Sequence, residues 1–401
     1  MTVIYQSKMC EPEAIDQVDR LPSRDRVTDL DIAGFVISIV SHLVDLVFDL
    51  NLAYRYYHNN EIPYFCTTLG FILIPAIVNT AFSIRMYYLD QGKANRSLTN
   101  RLSKRGFCCL LILVFQLAPV LRYFDALQYA LKSRKAQKNK NIEDQRKYYK
   151  LMVQEDSDVA LLRVLECFLE AAPQQILQLS IIFHTHGQGI SNTFTFIHQL
   201  LSIGSSFVSM AWSMASYQRL LRVSLTNKNN ITWAGTIMQF MWHFLVTVSR
   251  IMCISVVASI YPEYTVLALF IHWMFMVIWL LYSTHDLNFC NNNRIYDFLF
   301  YTIFGTVYIF THVSLSDGRT FWKYVFFYLT LCVENIICMI VWIVKADDTV
   351  KETLYYLPIV YINFISFFVG ILFMIIYYKI FHPSTGYVSR LTRAAQHALT
   401  T

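Results

Sequence analysis

Long apolar runs separated by short polar loops set the pattern of this chain. Ten runs stand out, at 32–57, 64–88, 107–131, 158–184, 191–217, 233–260, 264–283, 296–315, 319–345 and 355–381. Crossing about 30 Å of hydrocarbon takes about 20 helical residues, so each is long enough in principle. The loops decide which of them cross. Loop 89–106 carries Lys93, Arg96, Arg101, Lys104 and Arg105. Loop 132–157 carries Lys132, Arg134, Lys135, Lys138, Lys140, Arg146, Lys147 and Lys150. Short basic loops stay on the cytosolic side. The run between them therefore returns to the side it left. Gln116, Pro119, Arg122 and Asp125 also make 107–131 a poor lipid-facing helix. It is expected to be re-entrant and buried against its neighbours.

The second half repeats the pattern. With 296–315 as its re-entrant piece, loop 346–354 falls outside, and its Asp347, Asp348 and Glu352 against Lys351 allow that. The expectation is an all-α polytopic membrane protein of about eight transmembrane helices plus two re-entrant or partial helices, in two pseudo-repeats. Residues 1–31 form a cytosolic tail, 32–217 the first repeat, 218–232 a cytosolic loop, 233–381 the second repeat and 382–401 a second cytosolic tail. The outside loops 58–63, 185–190 and 261–263 are too short to form a domain for a soluble ligand.

Composition agrees. Hydrophobic residues make up 55% of 401 and charged residues 15%, as expected of a chain solvated mainly by lipid. A net charge of +6, spread over loops, suits an anionic leaflet rather than nucleic acid. Cys108, Cys109, Cys253, Cys332 and Cys338 sit within apolar runs, with no spacing that suggests a metal or a disulfide framework. Residues 1–31 are polar, and no cleavable leader is visible.

The stretch Leu161–Gln178 concentrates the chemistry. It is apolar enough for the membrane, yet it carries Arg163, Glu166 and Glu170. The two glutamates are four apart and share one helix face. Pro173 follows within a turn and frees backbone carbonyls. A central charge costs roughly 2.5–3.5 kcal/mol on insertion scales. These carboxylates therefore need a partner, a proton or a water-lined path. Asp45 and Asp49 repeat the arrangement in the first run, with His42 and Asn51 nearby; Arg250 and Glu334 lie within later runs. A network of Asp45, Asp49, Glu166 and Glu170 with Arg250 and Arg163 offsets part of its own charge. Such a network serves equally as a structural ion-pair system or as a hydrophilic track through the membrane.

Enzyme signatures are missing. GxxxxGK[ST], HExxH and GxSxG do not occur, so neither ATP-driven pumping nor hydrolysis is suggested. No catalytic residue, cofactor or metal is assigned. The glycosylation-type tripeptides at Asn95 and Asn230 fall in loops expected to be cytosolic and read as chance matches. In the first tail, Asp16-Gln17-Val18-Asp19 is a DxxD tetrapeptide followed by Arg20. Effector caspases cut after the last Asp of such a motif in exposed, extended chain. Residues 1–19, with Lys8 against Glu11, Glu13, Asp16 and Asp19, sum to −3.

These residues, taken in order, resemble the XK-related family. The resemblance rests on Arg163-Val164-Leu165-Glu166 with Glu170-Ala171-Ala172-Pro173-Gln174, and on the paired Asp45 and Asp49. It extends to Gln116-Leu117-Ala118-Pro119, Tyr217-Gln218-Arg219, Arg250, Asp317-Gly318-Arg319-Thr320, and Tyr377-Tyr378 with His382-Pro383. It spans roughly 32–385. It implies eight spans with two partial helices, and intramembrane polar positions at Asp45, Asp49, Glu166, Glu170 and Arg250, with Glu334 where some members have Asp. It further implies a phospholipid scramblase of the plasma membrane, multi-pass with both termini cytosolic. Such a protein is switched on by an effector caspase, exposes phosphatidylserine on dying cells, and acts alone, as a homo-oligomer or with an accessory membrane subunit. The second tail has no acidic residue after His382, so cleavage is expected after Asp19, as in the nematode cell-death member. Two other readings use the same residues: a secondary transporter of a small polar solute, and a non-scrambling structural or regulatory partner.

Overall fold

Thr28 starts the first helix with a reciprocal cap. Its hydroxyl accepts from the Asp31 N–H at 3.2 Å, and the Asp31 carboxylate accepts from the Thr28 N–H at 2.8 Å. The computed structural model describes residues 26–90, 117–184, 193–224, 230–283, 294–313, 321–346, 348–353 and 355–383. In chain order its helices are α1 (Asp29–His58), α2 (Ile62–Asp90), α3 (Ala118–Lys138), α4 (Ile142–Glu166), α5 (Ala172–His184), α6 (Thr193–Ser224), α7 (Trp233–Ile260), α8 (Pro262–Ser283), α9 (Arg294–Val307), α10 (Phe321–Lys345), α11 (Asp348–Lys351) and α12 (Tyr356–Ile376). π-helical turns occupy Cys167–Ala171 and Tyr377–Phe381. The described residues contain no strand. The chain is an all-α polytopic membrane protein.

Six described helices are long and apolar enough to cross a membrane: Asp31–His58, Ile62–Tyr87, Trp233–Ile260, Pro262–Ser283, Phe321–Lys345 and Tyr356–Phe381. They carry exposed apolar side chains such as Ile271, Ile278, Ile337, Ile365, Phe368 and Leu372. Patches of this kind are sustained in lipid and not in water.

Several boundaries differ from the sequence reading. The stretch 132–157 is not a loop. It is a helical hairpin of α3 and α4, turning at Asn139–Asn141 with Lys140 at φ 55°. The lysines occupy its outer face, while Tyr129, Ala130, Ser133, Ala136, Met152 and Val153 fill the inner one. Charge density hid that helical period. For the run 107–131, residues 107–116 fall outside the described ones, and from Ala118 onward the chain is one helix to Lys138. The run 158–184 joins a helix begun at Ile142, then widens to a π turn just before Pro173. Proline lacks an N–H and its ring clashes with the carbonyl four residues back, and the wider turn relieves both effects. Run 296–315 is helical only to Val307. Its 14 residues rise about 21 Å, too short to span. α6 continues to Ser224, past the expected repeat end at 217.

Packing divides the chain into two compact units, residues 1–166 with 220–228, and residues 167–219 with 229–401. In the first, α1 packs on the α3–α4 hairpin around Phe35, Tyr123, Ala126, Tyr129, Met152 and Val159. In the second, α7 is the hub, with α5, α8, α10 and α12 against it. Gly370 lets α12 approach α7, since a Cβ there would stand 2.9 Å from Val246 Cγ2 and 3.2 Å from its backbone nitrogen.

Candidate functional site

The ionisable groups expected within the membrane fall into distinct clusters. In the first unit, α1 carries His42, Asp45 and Asp49 at spacings of three and four, on one side of the helix. His42 is buried, and its Nδ1 lies 3.0 Å from Glu166 Oε1 at the end of α4. Asp45 is within electrostatic reach of Glu166, Arg163 and His42. It is nonetheless exposed, on a helix surface that otherwise shows Leu43, Val44, Val47 and Phe48. Arg163 Nη1 reaches the Tyr123 hydroxyl at 3.5 Å.

A second cluster in this unit centres on Arg122, whose side chain is wholly buried. Its Nη1 donates to Glu155 at 2.8 Å and to Asp158 at 3.2 Å. Nε donates to the Ser83 hydroxyl at 3.3 Å and Nη2 to the Ser83 carbonyl at 3.1 Å. The guanidinium stacks 3.9 Å over the Tyr87 ring, and the Tyr87 hydroxyl donates to Asp125 at 3.0 Å. This guanidinium ties α2, α3 and α4 together. Sequence reading placed Arg122 in a segment expected to be buried and named no partner for it. Its signal was there: Arg122 with Asp125 is an acid–base pair and Glu155 with Asp158 a pair of acids, each at i, i+3, on helices that face each other.

The second unit contains the cluster around Arg250 on α7. Nη2 donates to Glu334 Oε2 at 2.6 Å, Nη1 to Asn335 Oδ1 at 3.0 Å, and Nε to the Ile309 carbonyl at 2.9 Å. Glu334 Oε1 lies 2.7 Å from Nδ1 of His272 on α8, and His272 Nε2 lies 3.2 Å from the Tyr308 carbonyl. Asn335 continues to Ser249, and Ser249 and Asn363 bond each other, which ties in α12. Every long element of the second repeat thus converges on one ion pair. The geometry has a cause. α9 stops partway, leaving carbonyls without helical partners, and a cation at a helix C-terminus satisfies them. Arg250 and His272 do this at Ile309 and Tyr308. Glu170, in the π turn, is buried in this unit. Arg250 is therefore engaged by Glu334, its neighbour across the second repeat. Asp45, Asp49, Arg163 and Glu166 belong to the first unit. Asp16, Asp19 and Arg20 lie outside the described residues.

A further polar patch lies near the end of α6. Gln218 sits between His243, at 3.2 Å, and Gln239, which donates to it. Arg219 stacks 3.8 Å over the Trp233 ring. No group of three or more potential metal ligands occurs among the described residues.

Comparison with known proteins agrees with the residue pattern. A family model described as XK-related protein matches residues 33–383. Two relatives named Cell death abnormality protein 8 align along nearly the whole chain. The Caenorhabditis briggsae protein is 26% identical over 382 residues, covering 91% of this chain and 81% of its own length. The Caenorhabditis elegans protein is 26% identical over 381 residues, with the same coverage. With the family match running through both repeats and every charged cluster described above, this chain belongs to the XK-related family.

Proposed function

We propose that this chain is an ATP-independent phospholipid scramblase of the plasma membrane, switched on when an effector caspase cuts after Asp19, and that it exposes phosphatidylserine on apoptotic cells. Both termini face the cytosol in this reading. The observation that carries it is Asp45. A carboxylate near the middle of a spanning helix stands exposed among Leu43, Val44, Val47 and Phe48, on a surface that otherwise suits lipid tails. Such a charge is costly against hydrocarbon. It is relieved by a polar guest, and a phospholipid head group in transit is one. Glu334, whose side chain is 30% exposed, offers a similar step on the second repeat. No bond is broken, so the protein needs only to lower the cost of moving a polar head group through an apolar layer.

The relatives named for cell death supply the apoptotic setting. The tail supplies the switch: residues 1–19 carry −3 against +6 for the whole chain, so their removal changes the charge balance of the cytosolic face. Removing a segment by proteolysis shifts a two-state equilibrium irreversibly. Two cell lines test this. Cells expressing the Asp19→Ala chain should fail to bind annexin during apoptosis, and cells expressing residues 20–401 should bind it without any caspase. Annexin binding by Asp19→Ala cells at the wild-type level, with endogenous scramblases deleted, contradicts the reading.

A further inference from the structure

One stripe of α3 changes character along its length. Phe124, Gln128, Leu131, Lys135 and Lys138 follow one another at spacings of four and three, so they share a single helix face. Phe124 and Leu131 are exposed apolar residues, at 39% and 51%. Lys135 and Lys138, beyond them on the same face, are exposed cations. A helix face that passes from exposed apolar to exposed basic matches the passage from lipid tails to head groups.

A second observation sets the level of that change. Arg134 pairs with Asp29, the first residue of α1, and the apolar span of α1 begins at Asp31. Arg134 thus stands where α1 enters the membrane, with Lys135 beside it and Lys138 about 6 Å further along the helix axis. α4 leaves the same turn carrying exposed Arg146, Lys147 and Lys150, before Met152 and Val153 enter the core of the hairpin. Lys132 is held near two rings, 5.6 Å over Tyr129 and 5.8 Å over Tyr148. Against these bases the turn offers exposed Glu143 and half-buried Asp144. Ile142, at the tip, is 64% exposed.

We propose that the α3–α4 hairpin is a docking surface for anionic phospholipid head groups of the leaflet in which α1 starts, with Lys135, Lys138 and Lys150 as its principal contacts. Juxtamembrane lysines gain most near an anionic surface and lose that gain within a Debye length, so the surface works only at head-group level, where the Asp29–Arg134 pair places it. The surface makes the protein sensitive to the acidic lipid content of its own membrane, independently of any lipid transport.

The full chain, purified in neutral detergent, tests this by thermal unfolding during titration with phosphatidylserine or phosphatidylcholine. Phosphatidylserine should raise the midpoint at low salt and phosphatidylcholine should not. In the Lys135→Gln/Lys138→Gln/Lys150→Gln variant, the phosphatidylserine concentration for half the effect should rise on the order of 100-fold. Its midpoint in phosphatidylcholine should match the parent, because all three side chains are exposed. A variant as responsive as the parent overturns the proposal. So does an equal response to inorganic phosphate or a soluble acidic peptide, which would mark a general anion site rather than leaflet docking.

Discussion

Arg250 Nε donates to the carbonyl of Ile309 at 2.9 Å, and this one bond links an intramembrane cation to the end of an interrupted helix. The same guanidinium holds Glu334 at 2.6 Å. The guanidinium of Arg250 therefore serves a carboxylate, the Asn335 amide oxygen and the Ile309 carbonyl just past the end of α9. Removing it takes a donor from all three.

Arg250→Leu should destabilise the second unit by up to about 3 kcal/mol, because Glu334 keeps only His272 and loses its permanent countercharge, a cost reduced by its partial exposure. The Arg250→Leu/Glu334→Leu double variant should recover part of that loss, since the carboxylate is gone while the Ile309 carbonyl still lacks this donor. Fluorescence-detected gel filtration of detergent extracts, with melting midpoints, measures both. A double variant worse than the single one would remove Glu334 as the source of the cost.

Arg122→Met should damage the first unit by about 3–5 kcal/mol, since Glu155 and Asp158 both lose the buried guanidinium that bonds them. Arg122→Lys should not restore it, because a point charge cannot serve the two carboxylates, Ser83 and the Tyr87 ring at once. Expression and melting of the two variants side by side decide it; equal rescue by lysine would argue against this multiple geometry.

Gly305→Ala puts a Cβ at 2.5 Å from Val277 Cγ2, closer than packed atoms allow. Overpacking of this kind costs roughly 1–3 kcal/mol. Adding Val277→Ala should return most of the melting midpoint. A lone Gly305→Ala that melts like the parent would mean that α9 and α8 separate freely.

Asp156, on α4 outside the six spans, has its carboxyl pushed up to about 7, first by burial and then by the negative charge of Asp31. The folded state thus holds this proton more tightly than the unfolded chain does. Its contribution is complete below the unfolded value near 4 and is lost as pH rises toward 7 and beyond. At 1.36 kcal/mol per unit the bound is about 4 kcal/mol, reduced by water at this half-buried position. Asp156→Asn should raise the melting midpoint at pH 8 and leave it nearly unchanged at pH 4. The same midpoint shift at both values would exclude the titration of Asp156 as its cause.

The helices and the intramembrane charges were legible in the sequence, because both are local patterns. Apolar length marked α1, α2, α7, α8, α10 and α12. Pro173 marked the distorted turn that the structure shows as π-helical. Partners were harder to read. Arg250 and Glu334 are 84 residues apart, and nothing in either neighbourhood says that they meet. His42 and His272 complete the two glutamate pairs, yet a lone histidine in an apolar run carries no address. The stretch 132–157 was read as a loop because its lysines and arginines interrupt the apolar pattern. A helix that leaves the membrane becomes polar on its outer face, and hydropathy averages that face with the inner one.

Reconstitution of purified residues 20–401 into sealed liposomes holding a fluorescent phospholipid, followed by quenching from outside, tests the central claim most directly. The account predicts that label in both leaflets is quenched without ATP, that the uncleaved chain quenches the outer leaflet alone, and that Asp45→Leu slows the inner-leaflet phase at equal protein incorporation. Truncated chain that leaves the inner leaflet protected, in vesicles shown to contain folded protein, would contradict it.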